Sequence, residues 1–180
     1  SLAADQRDLA ELANNASLQL YLWQLVRARQ QQAPDDAQTE SAQQAYLRNL
    51  LLAAAERGGY MPDPATRVPA NLPRSLSYGM ALLDAELRPV VVTPGIGELA
   101  DSYGEVMRGA LAKPGATLVD LRLDAEDRAV VVIAVAVAAV SGSLTGGGAP
   151  NGVLVGVRSA EQELYPLLGR GPAFAEDSET

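Results

Sequence analysis

The sequence lacks two residue types that carry much protein chemistry: it has no cysteine and no histidine among 180 residues. Disulfides are therefore impossible, and zinc sites built on Cys or His ligands are excluded. Ser-His-Asp triads and Cys-His nucleophiles are excluded as well. Carboxylate or Ser-Lys chemistry stays open in principle. We predict from these absences that the chain is not an enzyme and that it uses no cofactor and no metal.

Aromatic side chains and positive charges are also scarce. Aromatic residues make up 4% of the sequence, so a core has to be built from Leu, Val and Ala, and the 48% apolar content suffices for one domain. The net charge of −8 repels phosphate groups, which argues against nucleic acid and against an anionic membrane surface as partners. The longest apolar run, residues 129–140, is shorter than the roughly 20 residues that span a bilayer.

The first third of the chain has helical periodicity. Apolar residues recur at intervals of three and four over Ala3–Gln32, which predicts one long helix. Pro34 disfavours helix at the residue before it. A second helix is predicted from Thr39, as its N-cap, to Arg57, where a pair of glycines ends it.

From Ser75 onwards the apolar period changes to two, which is typical of strands. Two hairpins are predicted, with a helix between them and a further strand after them. The predicted strands cover residues 75–83, 87–93, 116–123, 128–140 and 153–157, and the helix covers 98–113. Strands that follow a block of helices and are joined as hairpins indicate an α+β fold with an antiparallel sheet.

Five segments, in this order, resemble the PAS-like Cache (PDC) sensor domains of bacterial receptors. They are SAQQAYLRNLLLAAAERGGY, YGMALLDAELRPVVVT, ADSYGEVMRGALAKPG, LVDLRLDAEDRAVVVIAVAV and NGVLVGVRSAEQELYPLL. They look like the end of the family's long N-terminal helix, its first hairpin, its inserted helix, its second hairpin and its closing strand. The resemblance covers roughly residues 40–168.

The resemblance implies a five-stranded antiparallel PAS-like sheet with a long N-terminal helical segment packed on it. Strand 153–157 would lie centrally, next to strand 75–83. The chain would divide into helices at 1–58, a sensor core at 59–172 and a tail at 173–180 that leads to a following module or membrane span. The sequence lacks the Tyr, Arg, Trp and Asp ligand set of the amino-acid-binding members, so an amino acid is not implied.

The implied function is extracytoplasmic ligand sensing in a bacterial transmembrane receptor. A sensor histidine kinase is the leading output, with a diguanylate cyclase or chemoreceptor as others. The domain would lie in the periplasm, anchored to the inner membrane through segments absent from this sequence. The competing hypothesis is a structural or dimerisation module that binds no ligand. In either case we expect a homodimer that pairs through the Ala3–Gln32 helix, which carries more apolar residues than one sheet face can cover.

Five side chains are predicted to contact a small-molecule ligand. Tyr78 and Met80 share one face of the first strand, Tyr103 lies on the inserted helix, and Asp120 and Arg122 share one face of the third strand. The pocket would lie between the sheet and its two covering segments, 60–74 and 94–113. The same residues could instead be core (the tyrosines and Met80) or a structural ion pair (Asp120 and Arg122).

Over residues 133–138 the larger side chains of Ile133, Val135 and Val137 alternate with Ala134, Ala136 and Ala138, and this pattern has two interpretations. The small face of this strand could be the floor of a ligand cavity or the site of close helix packing.

Overall fold

In a computed structural model, the chain forms four helices and one five-stranded antiparallel sheet within its described residues, which are 1–31, 40–61, 78–96, 99–124, 127–140 and 148–160. The α+β class predicted from the sequence is confirmed. The helices are α1 (Leu2–Ala13), α2 (Ala16–Gln31), α3 (Ala42–Gly58) and α4 (Leu99–Ala112). The strands are β1 (Gly79–Asp84), β2 (Pro89–Val92), β3 (Thr117–Leu123), β4 (Ala129–Val137) and β5 (Gly152–Ser159). None of the helices in these ranges is long and apolar enough to cross a bilayer.

The prediction of one helix over Ala3–Gln32 is wrong, because two asparagines divide it. Asn14 ends α1, and its backbone N–H donates to the carbonyl oxygen of Ala10. The Oδ1 of Asn15 accepts a hydrogen bond of 3.0 Å from the N–H of Leu18, which caps the start of α2. Asparagine is favoured at both kinds of helix end, and helical periodicity alone does not reveal the break.

The start of α3 also differs from the prediction. Its N-cap is Ser41, whose Oγ accepts a hydrogen bond of 3.2 Å from the N–H of Gln44. Thr39, the predicted cap, lies outside the described residues. The helix ends at Gly58, one residue after the predicted end, and Gly59 has φ +70°, a left-handed conformation that glycine adopts without strain.

The strand order of the sheet is β2-β1-β5-β4-β3, and every neighbouring pair is antiparallel. The strand predicted at 153–157 is therefore central, next to β1, as expected. The strands at the two edges are β2 and β3. Residues 62–77 and 161–180 lie outside the described residues, and they include the start of the first predicted strand, most of the covering segment 60–74 and the tail at 173–180.

Helices lie on both faces of the sheet, so each face contributes to a separate core. One face, called the α1–α3 face below, is covered by the first three helices: α1 contacts β4 and β5, and α3 contacts β1 and β2. On the α4 face, α4 lies mainly over β4. Ala134 belongs to this second core together with Met107 and Ala110, so α4 packs on the sheet at this small residue of β4.

Two hairpin turns use the same side-chain arrangement. In each, an aspartate at the end of the first strand accepts from the arginine four residues later: Oδ1 from its backbone N–H and Oδ2 from its Nε, the latter at 2.9 Å. The pairs are Asp84–Arg88 and Asp124–Arg128. Leu87 and Asp127, just before each arginine, have φ of 63° and 58°. This is the geometry of a turn closed by one left-handed residue.

Candidate functional site

A cleft of about 440 Å³ opens on the α1–α3 face, between α1, α3 and Tyr60, which lies two residues after the end of α3. Its floor includes Met80 of β1, and its walls are mixed polar and apolar. The lining residues are Asp5, Asp8, Leu9, Glu11, Leu12, Asn15, Leu50, Ala54, Arg57, Gly58, Tyr60 and Met80. The size and mixed lining suit a small organic molecule.

Tyr60 lies at the base of the cleft, and two glycines make room for its ring. A Cβ added to Gly58 or to Gly156 would come within 2.6 Å of ring carbons of Tyr60. Gly156 lies opposite Met80 in the sheet, so the ring occupies the space above the central strand that a side chain at 156 would fill. The backbone N–H of Tyr60 donates to the carbonyl oxygen of Ala55, which fixes the chain as it leaves α3.

The hydroxyl group of Tyr60 is a buried polar group in the cleft. Tyr60 is only 2% exposed, and its hydroxyl has no hydrogen-bond partner among the described residues. Burial raises the pKa of Tyr60 well above its usual value, and the negative charge of Asp5 raises it further. The group is therefore a neutral hydroxyl, able to donate and to accept. A buried polar group without a partner is unusual and often marks an unseen water or ligand.

Charged side chains surround the cleft in two layers. At its base, Asp5 on α1 forms an ion pair with Arg158 on β5, and both side chains are almost fully buried. At its rim, Asp8, Glu11 and Arg57 are exposed and make no ion pair with any described residue. The rim therefore offers two carboxylates and one guanidinium to a ligand. The acidic side chains in the described parts of the chain form no group suited to a metal ion.

Three of the predicted site residues lie together at the edge of the α4 face. Arg122 donates from Nε to Asp120 at 2.5 Å and from Nη2 to Glu105 of α4 at 2.9 Å. These hydrogen bonds, the one to Asp120 first, raise the pKa of the Arg122 guanidinium. Tyr103 is buried nearby, and burial raises its pKa, with a further contribution from Asp124. Arg122 thus ties strand β3 to α4.

The other two predicted residues do not share a face, which corrects the expectation for Tyr78 and Met80. Met80 belongs to the core of the α1–α3 face and lines the cleft, whereas Tyr78 packs on the α4 core. Between them, Gly79 has φ +156°, so the regular alternation begins only after Tyr78. The guanidinium of Arg128 lies 5.7 Å from the centroid of the Tyr78 ring, a cation–π contact. The predicted five therefore do not form one pocket.

Sequence reasoning missed most of the cleft. Met80 is the only predicted residue in its lining. Asp5, Asp8 and Leu12 recur at helical spacing on one side of α1, so acidic residues interrupt the edge of its apolar stripe. That interruption was a usable signal. The positions of Tyr60 and Arg158 had no local signal, since each depends on an element distant in sequence.

Comparisons with known proteins leave the family open. No family model matches this sequence, and no curated protein does. One solved structure that is similar to this chain is a Mycobacterium tuberculosis transcriptional regulator, with a TM-score of 0.32 and 13% identity over 74% of this chain. This chain spans about half of that one, 49%. A likeness this low carries no argument about function.

Proposed function

We propose that this chain is a ligand-sensing module of the PAS-like Cache class, belonging to a bacterial membrane receptor. Two features of the fold support the proposal. The sheet has its last strand, β5, between β1 and β4, and α4 connects the two hairpins. These features agree with the order of the five sequence segments that resemble Cache domains. The extracytoplasmic location, the membrane anchor and a histidine-kinase output belong to the same proposal and follow from the resemblance alone.

The observation that carries ligand binding is the cleft above Tyr60. A fold does not define a function by itself, so the argument depends on the site. The cleft combines a concave surface of suitable size, a buried hydroxyl without a partner among the described residues, and rim charges of both signs. An amine on the ligand would be attracted by Asp8 and Glu11, and the Tyr60 hydroxyl would gain a hydrogen bond. The module itself would bind and release, without chemical conversion.

Thermal unfolding in the presence of small molecules tests this function. A library of amines, amino acids, organic acids and purines is screened for compounds that raise the melting temperature, because a ligand that binds only the folded state stabilises it. The Tyr60→Phe variant keeps the ring between Gly58 and Gly156 and removes only the hydroxyl. We expect the shift in melting temperature to fall by at least half in this variant.

The Arg122→Ala variant is the matched control, because it removes a charged side chain on the α4 face that the sequence predicts to contact the ligand. A shift that survives Tyr60→Phe but disappears in Arg122→Ala would place the ligand on the α4 face. If no compound in any of the four classes raises the melting temperature, the sensing function is contradicted.

A second candidate function is a dimerisation module that binds no ligand. The observation that favours it is the edge strand β3, where three large apolar side chains remain exposed. This surface could pair with another copy whether or not the cleft binds a ligand.

A further inference from the structure

The outer edge of β3 is unpaired within the part of the chain that the structure describes. This seven-residue strand lies at the end of the sheet, and no described strand pairs with its outer side. The N–H of Asp124 donates to Arg128 across the turn, so the even-numbered residues of β3 direct their backbone groups to β4. The N–H and C=O groups of Val119, Leu121 and Leu123 therefore point outward, away from the sheet.

The same three residues form an exposed apolar strip. Their side chains lie on the α1–α3 face, since Val119 and Leu121 are paired with the core residues Ile133 and Val131 of β4. The helices leave this edge uncovered: Val119 is 37% exposed, Leu121 57% and Leu123 64%. A flat, apolar edge strand invites pairing with another strand, and proteins that avoid such pairing usually protect the edge with charge, proline or a bulge.

On the α4 face, β3 carries two opposite charges placed symmetrically about Leu121. Asp120 precedes Leu121 and Arg122 follows it, and both side chains are about one-third exposed. If two copies of β3 pair antiparallel with Leu121 opposite Leu121, Asp120 of each copy lies opposite Arg122 of the other. A register centred on Asp120 would instead place two aspartates opposite each other. The charges thus favour one register, which is also self-complementary, as a two-fold interface requires.

We propose that β3 pairs with β3 of a second copy of this chain about a two-fold axis at Leu121, which joins the two five-stranded sheets into one. In this register the outward backbone groups of Leu121 bond reciprocally. Val119 of one copy meets Leu123 of the other, so the two apolar strips become continuous. Cross-strand pairs of opposite charge and of apolar residues both stabilise antiparallel pairing. This surface differs from the N-terminal helix through which the sequence predicts a dimer.

The interface is small, so the dimer is expected to be weak and visible only at high concentration. Sedimentation equilibrium from about 10 µM to 1 mM should show reversible monomer–dimer association of the unmodified chain. The variants Asp120→Arg and Arg122→Asp each place like charges opposite one another twice. Each should weaken association by about 10-fold, from two unfavourable cross-strand pairs. Circular dichroism of each variant tests whether it is folded.

Mixing the two variants gives the decisive measurement. In the heterodimer, arginines of one copy face aspartates of the other, so an equimolar mixture should associate more tightly than either variant alone. The double variant Asp120→Arg, Arg122→Asp exchanges the two charges and should associate like the unmodified chain. A chain that stays monomeric at 1 mM overturns the proposal. Dimerisation that neither single variant weakens also overturns it, and assigns the contact to another surface such as α2. These outcomes do not depend on whether the cleft binds a ligand.

Discussion

Two Asp–Arg ion pairs in this protein differ in how far apart their partners lie in the sequence and in how well they are shielded from water. Asp5 and Arg158 are 153 residues apart, and their side chains are 12% and 8% exposed. Asp120 and Arg122 are two residues apart on one strand, with 34% and 32% exposure. Asp120 and Arg122, which are close in the sequence, are screened by water. Asp5 and Arg158, whose pairing cannot be read from the sequence, join α1 to the central strand β5.

The contrast has an energetic meaning. Exposed ion pairs contribute about 0–1 kcal/mol because water competes for both charges. Removing one partner of a buried pair leaves the other charge in a poorly solvated position, at a cost of about 3–5 kcal/mol. Burial, and not the mere presence of an Asp–Arg pair, therefore decides which pair matters for stability.

The Asp5→Asn variant should give the largest effect. It keeps the size of the side chain but removes the negative charge beside the buried guanidinium of Arg158, so the free energy of unfolding should fall by about 3 kcal/mol. The matched Asp120→Asn variant should lose at most about 0.5 kcal/mol. Urea unfolding at pH 7 and low micromolar concentration measures both. Equal losses in the two variants would contradict the assignment by burial.

The hairpin aspartates provide an intermediate case, because a buried carboxylate there pairs with a more exposed arginine. Asp84 is fully buried and accepts from the backbone N–H groups of Glu86 and Arg88 as well as from Nε of Arg88. Replacing Asp84 by Ala removes the charged acceptor of these three hydrogen bonds, at about 2 kcal/mol. The equivalent Asp124→Ala variant should lose a similar amount, since Asp124 accepts the same two hydrogen bonds from Arg128 that Asp84 accepts from Arg88. Urea unfolding that shows a loss below about 0.5 kcal/mol in either variant would mean that the turn forms without its aspartate.

The smallest expected effect concerns pH and the tyrosine beside the buried pair. Burial raises the pKa of Tyr60, so the folded state keeps its proton at a pH where the unfolded state, with an ordinary pKa of 10.0, loses it. Stability contributed by this group is complete below pH 10 and decreases as the pH rises above 10. By pH 11 the decrease should amount to about 1 kcal/mol.

The Tyr60→Phe variant cannot lose this proton. The difference between its unfolding free energies at pH 8 and pH 11 should therefore be about 1 kcal/mol smaller than that of the unmodified chain. Tyr46→Phe, at an exposed tyrosine, is the control and should leave the difference unchanged. An identical pH dependence in the Tyr60→Phe variant and the unmodified chain would show that the hydroxyl is not buried.

The candidate site was predicted less completely than the fold. Tyr103, Asp120 and Arg122 were correctly expected near one another, because strand alternation places 120 and 122 on one face and the order of elements places α4 beside β3. The prediction that Tyr78 and Met80 share a face is wrong because of Gly79, which lies between them. The alternation of apolar residues in the sequence does not reveal the backbone conformation of this glycine. Whether the α4-face residues bind a ligand stays a prediction.

The helices and strands of this protein follow from short-range preferences in its sequence. Apolar periods of two and of three to four set the strands and helices, and glycines and turn-forming aspartates set their ends, because these preferences act between residues only a few positions apart. The tertiary structure alone decided that Asp5 meets Arg158, that Tyr60 lies between Gly58 and Gly156, and that β3 is an edge. Those contacts join elements distant in sequence, and their formation depends on which strands pair and which face each helix covers.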